Sequence, residues 1–305
     1  MIVYYGFLIA ASALYSIQFV FYTKYQKTAG NSLLSAVRFA LGFNTVAFVA
    51  AWLANGLRIE VTAFAATLAG VTALILVAFS YASVKALARA NLAVYSMFAM
   101  LGGMLVPFAA GILFWGEELS AQKMVCCLLV VAALFVNVPK EASVRSGIRY
   151  YILIFFLNGF GGVVSKLHQL GVGYNVSSEG FIALYGAFGV VLCLLLCVFL
   201  RWQAGVERSR ETGDEQVSEG RESEALLVSW VALLCMLGYG VVNWGGNLLS
   251  LYAMLHLHAS VQFPMVTGAV LILSTLASFL IGEKPRKRTV LSVGLAILGL
   301  MALGM

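Results

Sequence analysis

The chain has 305 residues, of which 62% are hydrophobic and only 10% are charged, and its net charge is +6. A soluble globular domain carries about 25% charged residues and about 45–50% apolar ones. This composition excludes a water-soluble fold and predicts that the protein is embedded in a lipid bilayer. The positive charge comes mainly from the polar links between apolar segments, so it does not predict nucleic-acid binding.

Apolar segments of membrane-spanning length follow one another along the chain. The first one lacks a basic start and a small-residue cleavage site, so it predicts an uncleaved span and not a signal peptide. A helix of about 20 residues crosses the roughly 30 Å of hydrocarbon in a bilayer. The sequence thus predicts an all-α integral membrane protein with ten transmembrane helices. The expected spans are 2–23, 32–54, 62–84, 91–115, 120–138, 149–169, 179–200, 225–249, 258–281 and 289–304.

The loops differ strongly in charge. Residues 202–224 are rich in acids and arginines, and they predict a solvated linker after the seventh span. Of the 19 lysines and arginines, 15 lie in loops after odd-numbered spans, three lie near loops after even-numbered spans, and Arg38 lies within the second span. Because lysine and arginine favour the cytoplasmic side, this distribution predicts that both termini lie outside the cytoplasm.

Two segments of the chain resemble each other. Residues 90–135 and 256–301 align at a constant offset, and each contains a long apolar helix, a Gly-Glu pair, a polar link and a shorter apolar helix. The alignment places Glu117 on Glu283. Similarity between apolar helices by chance is the alternative explanation.

A second correspondence places Lys24 and Lys166 near the end of the first helix of each half. Five spans separate the copies, and an odd number of spans makes the two halves insert in opposite directions. The sequence therefore predicts an inverted five-plus-five repeat, with residues 1–138 as the first half and residues 139–305 as the second.

Ten spans, Arg38 within LSAVRFALG, and the segments 80–120 and 250–285 with their Gly-Glu pairs resemble the EamA-type branch of the drug/metabolite transporter superfamily. The resemblance implies a central cavity lined by spans one, three, four, six, eight and nine, with spans five and ten at the periphery. It also implies a multi-pass protein of the cell membrane, most simply the bacterial inner membrane. Members of this family usually have cytoplasmic termini, which is the opposite of the orientation that the charges predict.

Polar side chains recur at helical spacing within several spans. A polar group in an apolar environment costs roughly 2–7 kcal/mol unless it is hydrogen-bonded, so these groups are expected to face the interior of the bundle. There they line a solute cavity or, alternatively, hold helices together by hydrogen bonds. The candidate substrate-binding residues are Tyr15, Gln18, Tyr81, Tyr95, Ser96, Asn158, Tyr239, Asn243, Trp244, Asn247 and Gln262. The candidate gating or structural charges are Arg38, Lys24, Lys166, Glu117 and Glu283.

The polar residues favour transport of an uncharged solute over other functions. No Asp or Glu lies in the middle of a predicted span, and no metalloprotease, nucleophile-elbow or phosphate-loop motif occurs. The sequence therefore predicts a secondary transporter, without enzymatic activity, metal or cofactor. The expected solute is a small neutral or zwitterionic metabolite, similar to an amino acid or a nucleoside, and export is the expected direction. Efflux of drugs or cations, or an integral-membrane enzyme, are the alternatives.

The last span carries a series of small residues at Gly294, Gly299 and Gly304. Small residues allow close approach between helices in lipid. The series predicts packing either against a second subunit, as a homodimer, or against span five of the same chain.

Overall fold

The computed structural model describes residues 2–30, 32–87, 92–137, 148–171, 174, 176–211, 230–280 and 287–304. Glu283 lies outside these residues. Within them the backbone forms ten helices: α1 (Ile2–Ala29), α2 (Leu33–Ala54), α3 (Ala63–Leu87), α4 (Leu92–Phe114), α5 (Ala121–Asn137), α6 (Ile148–Leu170), α7 (Ser178–Glu211), α8 (Trp230–Met254), α9 (Ala259–Leu280) and α10 (Lys287–Gly304).

Most of these helices are long and apolar. In the described part of the chain, α1 to α4 and α6 to α9 have the length and composition needed to cross a membrane, which makes eight candidate spans. Helix α5 is also apolar but has only 17 residues. The prediction of an all-helical protein with many apolar helices is confirmed, and the helices fit a multi-pass membrane protein.

Three helices differ in extent from the predicted spans. Helix α1 continues to Ala29, and α7 continues to Glu211, into the segment that was predicted to be a solvated loop. Helix α8 ends at Met254, five residues beyond the predicted end of the eighth span at 249. For α1 and α7, whose added residues are polar, the reason is that hydropathy reports which residues prefer lipid, whereas a helix continues for as long as its backbone hydrogen bonds are satisfied.

Four helices begin with a hydroxyl side chain that caps their own N-terminus. Ser32, Thr62, Ser120 and Ser177 precede α2, α3, α5 and α7, and each oxygen accepts a hydrogen bond from the backbone N–H three residues later. These bonds satisfy backbone donors that have no partner within the helix. Local sequence therefore fixes where these four helices start.

The helices pack in pairs that join the two predicted halves. Helix α1 lies against α8 and α9, while α6 lies against α3 and α4. Helix α2 contacts α7 and α8, and α7 contacts α2 and α3, while α5 packs mainly against α10. Exchanging each helix with the one five places away leaves this pattern of pairs unchanged. Helix α10 packs on α5 within the chain, where a Cβ atom on Gly299 would lie 3.3 Å from the backbone oxygen of Cys126, whereas a Cβ on Gly294 would meet open space. The homodimer stays a prediction.

Helices α4 and α6 approach each other most closely at glycines. A Cβ atom on Gly102 would lie 2.6 Å from the backbone carbonyl carbon of Phe155, and a Cβ on Gly159 would lie 2.8 Å from the carbonyl oxygen of Gly102. Only glycine leaves room for backbones at this separation. This contact forms one wall of the bundle.

Side-chain contacts show which helix ends share a face of the bundle. Glu117, just after α4, contacts the start of α9, and Lys166, near the end of α6, contacts the end of α8. Ser177, just before α7, contacts Asn55 at the end of α2. We call this end of the bundle, where even-numbered helices end, the even face, and the opposite end the odd face.

Candidate functional site

A chain of hydrogen-bonded side chains runs between α1 and α8, one helix from each predicted half. The Tyr15 hydroxyl donates to Asn247 Oδ1 at 3.0 Å and lies 3.1 Å from Ser250 Oγ. Asn247 Nδ2 donates to Asn243 Oδ1 at 2.9 Å, and Asn243 Nδ2 donates to Gln18 Oε1 at 3.0 Å. Five uncharged polar side chains therefore form one continuous network inside the bundle.

The spacing of these residues explains why they meet. Asn243, Asn247 and Ser250 lie four and three residues apart on α8, so they share one face of the helix. Tyr15 and Gln18 lie three residues apart on α1 and face the same groove. The sequence prediction placed these residues on interior-facing stripes, and the structure brings both stripes together.

A glycine allows the tyrosine to reach the network. A Cβ atom on Gly246 would lie 2.7 Å from Tyr15 Cε1, closer than real Cβ contacts. The absence of a side chain at Gly246 therefore opens the space on α8 into which the Tyr15 ring fits.

The network continues toward the even face through the backbone of α8. Gln262 Nε2, on α9, donates to the carbonyl oxygen of Ser250 at 3.0 Å, and only 1% of the Gln262 side-chain surface is exposed. Gln262 Oε1 has no hydrogen-bond partner among the described residues. Gln262 thus presents a buried acceptor next to the network, where a bound solute would find a partner for a donor group.

Aromatic side chains surround the network on the side of the odd face. Tyr239 on α8 lies 6.4 Å from Tyr22 on α1, 4.8 Å from Phe39 and 5.3 Å from Phe43, measured between ring centroids. Rings from α1, α2 and α8 therefore meet at one end of the hydrogen-bonded network.

Two of the predicted binding residues lie at helix contacts instead of in the network. Asn158 Nδ2 donates to the backbone oxygen of Ala99 at 2.6 Å and so joins α6 to α4. Trp244 packs against the apolar cluster that contains Phe181, and its Nε1 has no hydrogen-bond partner in the described structure. For Asn158 the geometry corresponds to the alternative of a hydrogen bond that holds two helices together.

Tyr81, Tyr95 and Ser96 lie near the odd face, apart from the hydrogen-bonded chain. The Tyr95 hydroxyl is 3.1 Å from Ser83 Oγ. Tyr81 is 44% exposed, and the Lys85 amino group lies 5.8 Å from the centre of its ring. Ser96 is half-buried on α4.

The predicted charges divide between the two faces. Lys166 and Glu117 are buried at the even face, with 5% and 6% of their surface exposed, whereas Lys24 is exposed at the odd face. Arg38 is half-buried on α2 and interacts electrostatically with Tyr25 and with Cys197 on α7. Arg38 therefore lies near the odd face and outside the hydrogen-bonded network.

The sequence prediction missed several residues that shape the site. Phe39 and Phe43 belong to α2, a helix that the family resemblance placed outside the cavity lining, yet both rings contact Tyr239. Both are apolar rings within an apolar helix, so the sequence does not show whether they line the site or face lipid. Glu60 at the even face was also missed, because it lies in a short loop between two spans.

The network offers hydrogen-bond donors and acceptors without a formal charge. Amide and hydroxyl groups can bind a solute by exchanging their mutual hydrogen bonds for bonds to it, since each carries both functions. Among the described residues no group of three or more His, Cys, Asp or Glu side chains has the arrangement of a metal site.

Comparison with known proteins supports the fold alone. No family model matches the sequence, and no curated protein matches it. The chain is similar to a solved structure described as "Crystal structure of protein", with a TM-score of 0.69 and 17% sequence identity over 98% of this chain and 95% of the other. At this level of identity the arrangement of the helices is shared, and nothing follows for the solute.

Proposed function

We propose that the protein is a secondary transporter that moves a small neutral or zwitterionic metabolite by alternating access between two five-helix halves. The observation that carries the proposal is the chain from Gln18 through Asn243, Asn247 and Tyr15 to Ser250. It joins one helix from each half within a bundle of apolar helices. A rocking motion of the two halves against each other would change the contacts of these side chains.

The pairing of helices supports an inverted repeat. Contacts of α1 with α8 and α9 correspond to contacts of α6 with α3 and α4, and the pairs α2–α7 and α5–α10 are each their own counterpart. Repeats of this kind place a solute site near the middle of the membrane, where the two halves meet. The resemblance to EamA-type transporters leads to the same proposal, with ten spans and location in the cell membrane.

The chemistry of the network favours an uncharged or zwitterionic solute over a cation. A cation in a low-dielectric site requires a compensating negative charge, and the five side chains of the network are all neutral. The rings of Tyr22, Tyr239 and Phe39 add apolar surface beside the amides. A metabolite with a planar or apolar part and several hydrogen-bonding groups, such as an amino acid or a nucleoside, fits this combination. We propose export as the direction of transport.

A ligand screen followed by flux measurements tests the proposal. Purified protein is heated with amino acids, nucleosides, sugars and lipophilic cations, and solutes that raise the melting temperature are then tested for flux in proteoliposomes. We expect stabilisation by a neutral or zwitterionic solute, and we expect Asn243→Ala and Gln18→Ala to reduce its flux. Asn137→Ala is the matched control, since this amide pairs with Thr289 between α5 and α10.

The outcome separates the proposal from its alternatives. Unchanged flux in both Asn243→Ala and Gln18→Ala, with folded protein in each case, would show that the network does not bind the solute. Stabilisation by lipophilic cations alone would favour drug or cation efflux.

A further inference from the structure

Two carboxylates of the first predicted half sit on helix N-termini of the second half at the even face. Glu117 Oε1 accepts a hydrogen bond from the backbone N–H of Ala259 at 2.6 Å, and Glu117 Oε2 accepts one from Ser260 at 2.8 Å. Glu60 Oε2 accepts one from the backbone N–H of Ser177 at 2.9 Å. Helices α9 and α7 are thus held by negative charges that come from the other half.

Helix α9 depends on this contact more than α7 does. Ser177 caps α7 with its own side chain, whereas α9 follows His258, which lacks a short hydroxyl or carboxylate cap. A helix N-terminus carries about half a positive charge and has backbone donors without intrahelical partners. The carboxylate of Glu117 supplies the charge and two acceptors that the start of α9 lacks.

The Gly-Glu pair at the end of α4 gives the carboxylate its position. Gly116 has a φ of +64°, a conformation that L side chains rarely adopt, and it turns the chain so that the N–H of Glu117 bonds to Gly111 O at 3.0 Å. A Cβ on Gly111 would lie 2.7 Å from Glu117 Oε2. Glycine is therefore required at both positions to seat the carboxylate.

Lys166 holds the other side of the same connection. Its amino group donates to the backbone oxygen of Met254, the last residue of α8, at 2.6 Å and to that of Leu257, in the α8–α9 connection, at 2.8 Å. Terminal carbonyls of a helix lack intrahelical donors and favour a cation. The positive charge of Lys166 is also attracted to Glu117. A cation and an anion therefore fix the two ends of the short α8–α9 connection.

The odd face differs in the placement of the corresponding lysine. Lys24, which aligns with Lys166 in the repeat, is exposed, whereas Lys166 is 5% exposed. Within the network and its neighbour Gln262, burial increases in the same direction along the bundle. Gln18 and Asn243 are half-buried, while Ser250 and Gln262 toward the even face are 7% and 1% exposed.

We propose that Glu117 and Lys166 form the gate of the even face and that this gate is closed in the present structure. Opening this face separates Glu117 from the N-terminus of α9 and exposes the α8–α9 connection to water. The gate rests on the proposed transport function, because it has a role only if the two faces open in turn.

One turn of α8, one turn of α9 and a hydrogen bond between them link the gate to the proposed solute site. Met254 O lies one helical turn beyond Ser250 on α8, and Gln262 lies one turn after Ala259 on α9. Gln262 Nε2 bonds to Ser250 O and so joins these two turns. A solute that takes hydrogen bonds from Ser250 or Gln262 therefore acts on the same two helix ends that the gate holds.

Accessibility of a buried cysteine at the gate tests the proposal without a known solute. Ser260 is 0% exposed and its hydroxyl has no hydrogen-bond partner among the described residues, so Ser260→Cys is a mild change. The five native cysteines are first replaced, and labelling by a charged maleimide is followed in detergent-solubilised protein. We expect slow labelling in this background, since the reporter reacts only when the even face opens.

Removing one charge of the gate is expected to speed the labelling about tenfold, which corresponds to about 1.4 kcal/mol in the opening equilibrium. Glu117→Gln keeps the size of the side chain and removes its charge, and Lys166→Met removes the donor to both carbonyls. Glu118→Gln is the matched control, because this neighbouring carboxylate is exposed, and it is expected to leave the rate unchanged. Lys24→Met serves as the control for Lys166→Met.

A second variant keeps the test valid if Glu117→Gln does not fold. Gly111→Ala retains both charges but places a methyl group against the Glu117 carboxylate, so it is also expected to speed labelling. Labelling that is unchanged in Glu117→Gln, or in Gly111→Ala if the former does not fold, would overturn the gate.

Solute flux, measured on the same proteins, gives an independent readout. Flux in the parent protein together with unchanged labelling in the variants would contradict the gate but would still support the transport function. Faster labelling in the variants, without flux of any solute in the panel, would support a structural latch at this face and remove the transport function.

Discussion

The contact between α4 and α6 allows a prediction whose size follows from the structure. A Cβ atom on Gly102 would lie 2.6 Å from both the carbonyl carbon and the Cα of Phe155, and closer still to its carbonyl oxygen. The obstacle is backbone, so Gly102→Ala requires one helix to move away from the other. The same movement would lengthen the hydrogen bond from Asn158 to Ala99.

The expected loss of stability combines two opposing effects. Overpacking of a tight interior typically costs about 1–3 kcal/mol, and a backbone obstacle belongs at the upper end of that range. Replacing glycine by alanine within a helix returns about 1 kcal/mol. We therefore expect Gly102→Ala to lower the free energy of unfolding by about 2 kcal/mol.

Thermal unfolding of purified protein in detergent, with two matched glycine variants, measures this effect. Gly268 aligns with Gly102 in the repeat, but its added methyl would meet only side-chain atoms of Leu300 at 3.2 Å and Val130 at 3.4 Å, so Gly268→Ala is expected to be mild. Gly294→Ala adds a methyl group in open space. A melting temperature for Gly102→Ala as high as that for Gly294→Ala would refute the close approach of α4 and α6.

Three further predictions address the site, the periphery and the orientation. Tyr15→Phe removes the hydroxyl that contacts Asn247 and Ser250, and it is expected to weaken solute binding about tenfold in a titration and to lower the free energy of unfolding by about 1 kcal/mol. Ser292→Ala removes the hydrogen bond to Ala133 O at 2.8 Å between α10 and α5, so we expect a loss of about 1 kcal/mol in unfolding free energy and unchanged flux. A C-terminal reporter that fluoresces only in the cytoplasm tests the orientation: the loop charges predict that it stays dark, whereas fluorescence would favour the orientation usual in EamA-type proteins.

The bodies of the helices were predictable from the sequence, whereas the ends of α1, α7 and α8 were not. Hydropathy summed over about 20 residues gives a strong signal because each apolar side chain adds to the preference for lipid. The end of α7 at Glu211 lies in a charged segment where this sum fails, although arginine, glutamine and glutamate are good helix formers. Helix formation and preference for lipid are different properties, and only the second was used to place the spans.

The helix faces of the site were predictable, but their partners were not. The spacing of Asn243 and Asn247 indicated one interior-facing stripe. Their partner was not predictable, because Tyr15 and Asn247 are 232 positions apart in the sequence. Asn158 shows the limit of the same pattern, since an asparagine in a glycine-rich span was read as a lining residue. The neighbouring Gly159 instead allows α6 to pack closely on α4, and at this contact the side-chain amide of Asn158 donates a hydrogen bond to the backbone of α4.

The two halves contribute unequally to the proposed site, although their helices pair in the same way. In the alignment that places Lys24 on Lys166, Tyr15 and Gln18 correspond to Leu157 and Phe160 on α6. Leu157 packs with apolar neighbours from α3 and α4, and Phe160 is 47% exposed. The interface of α6 with α3 and α4 therefore lacks counterparts of Tyr15 and Gln18, and the Asn158 amide in it bonds to the backbone of α4. Within the proposed transporter, the repeated helix pairs allow both faces to open by equivalent movements, whereas recognition of the solute is confined to one of the two equivalent interfaces.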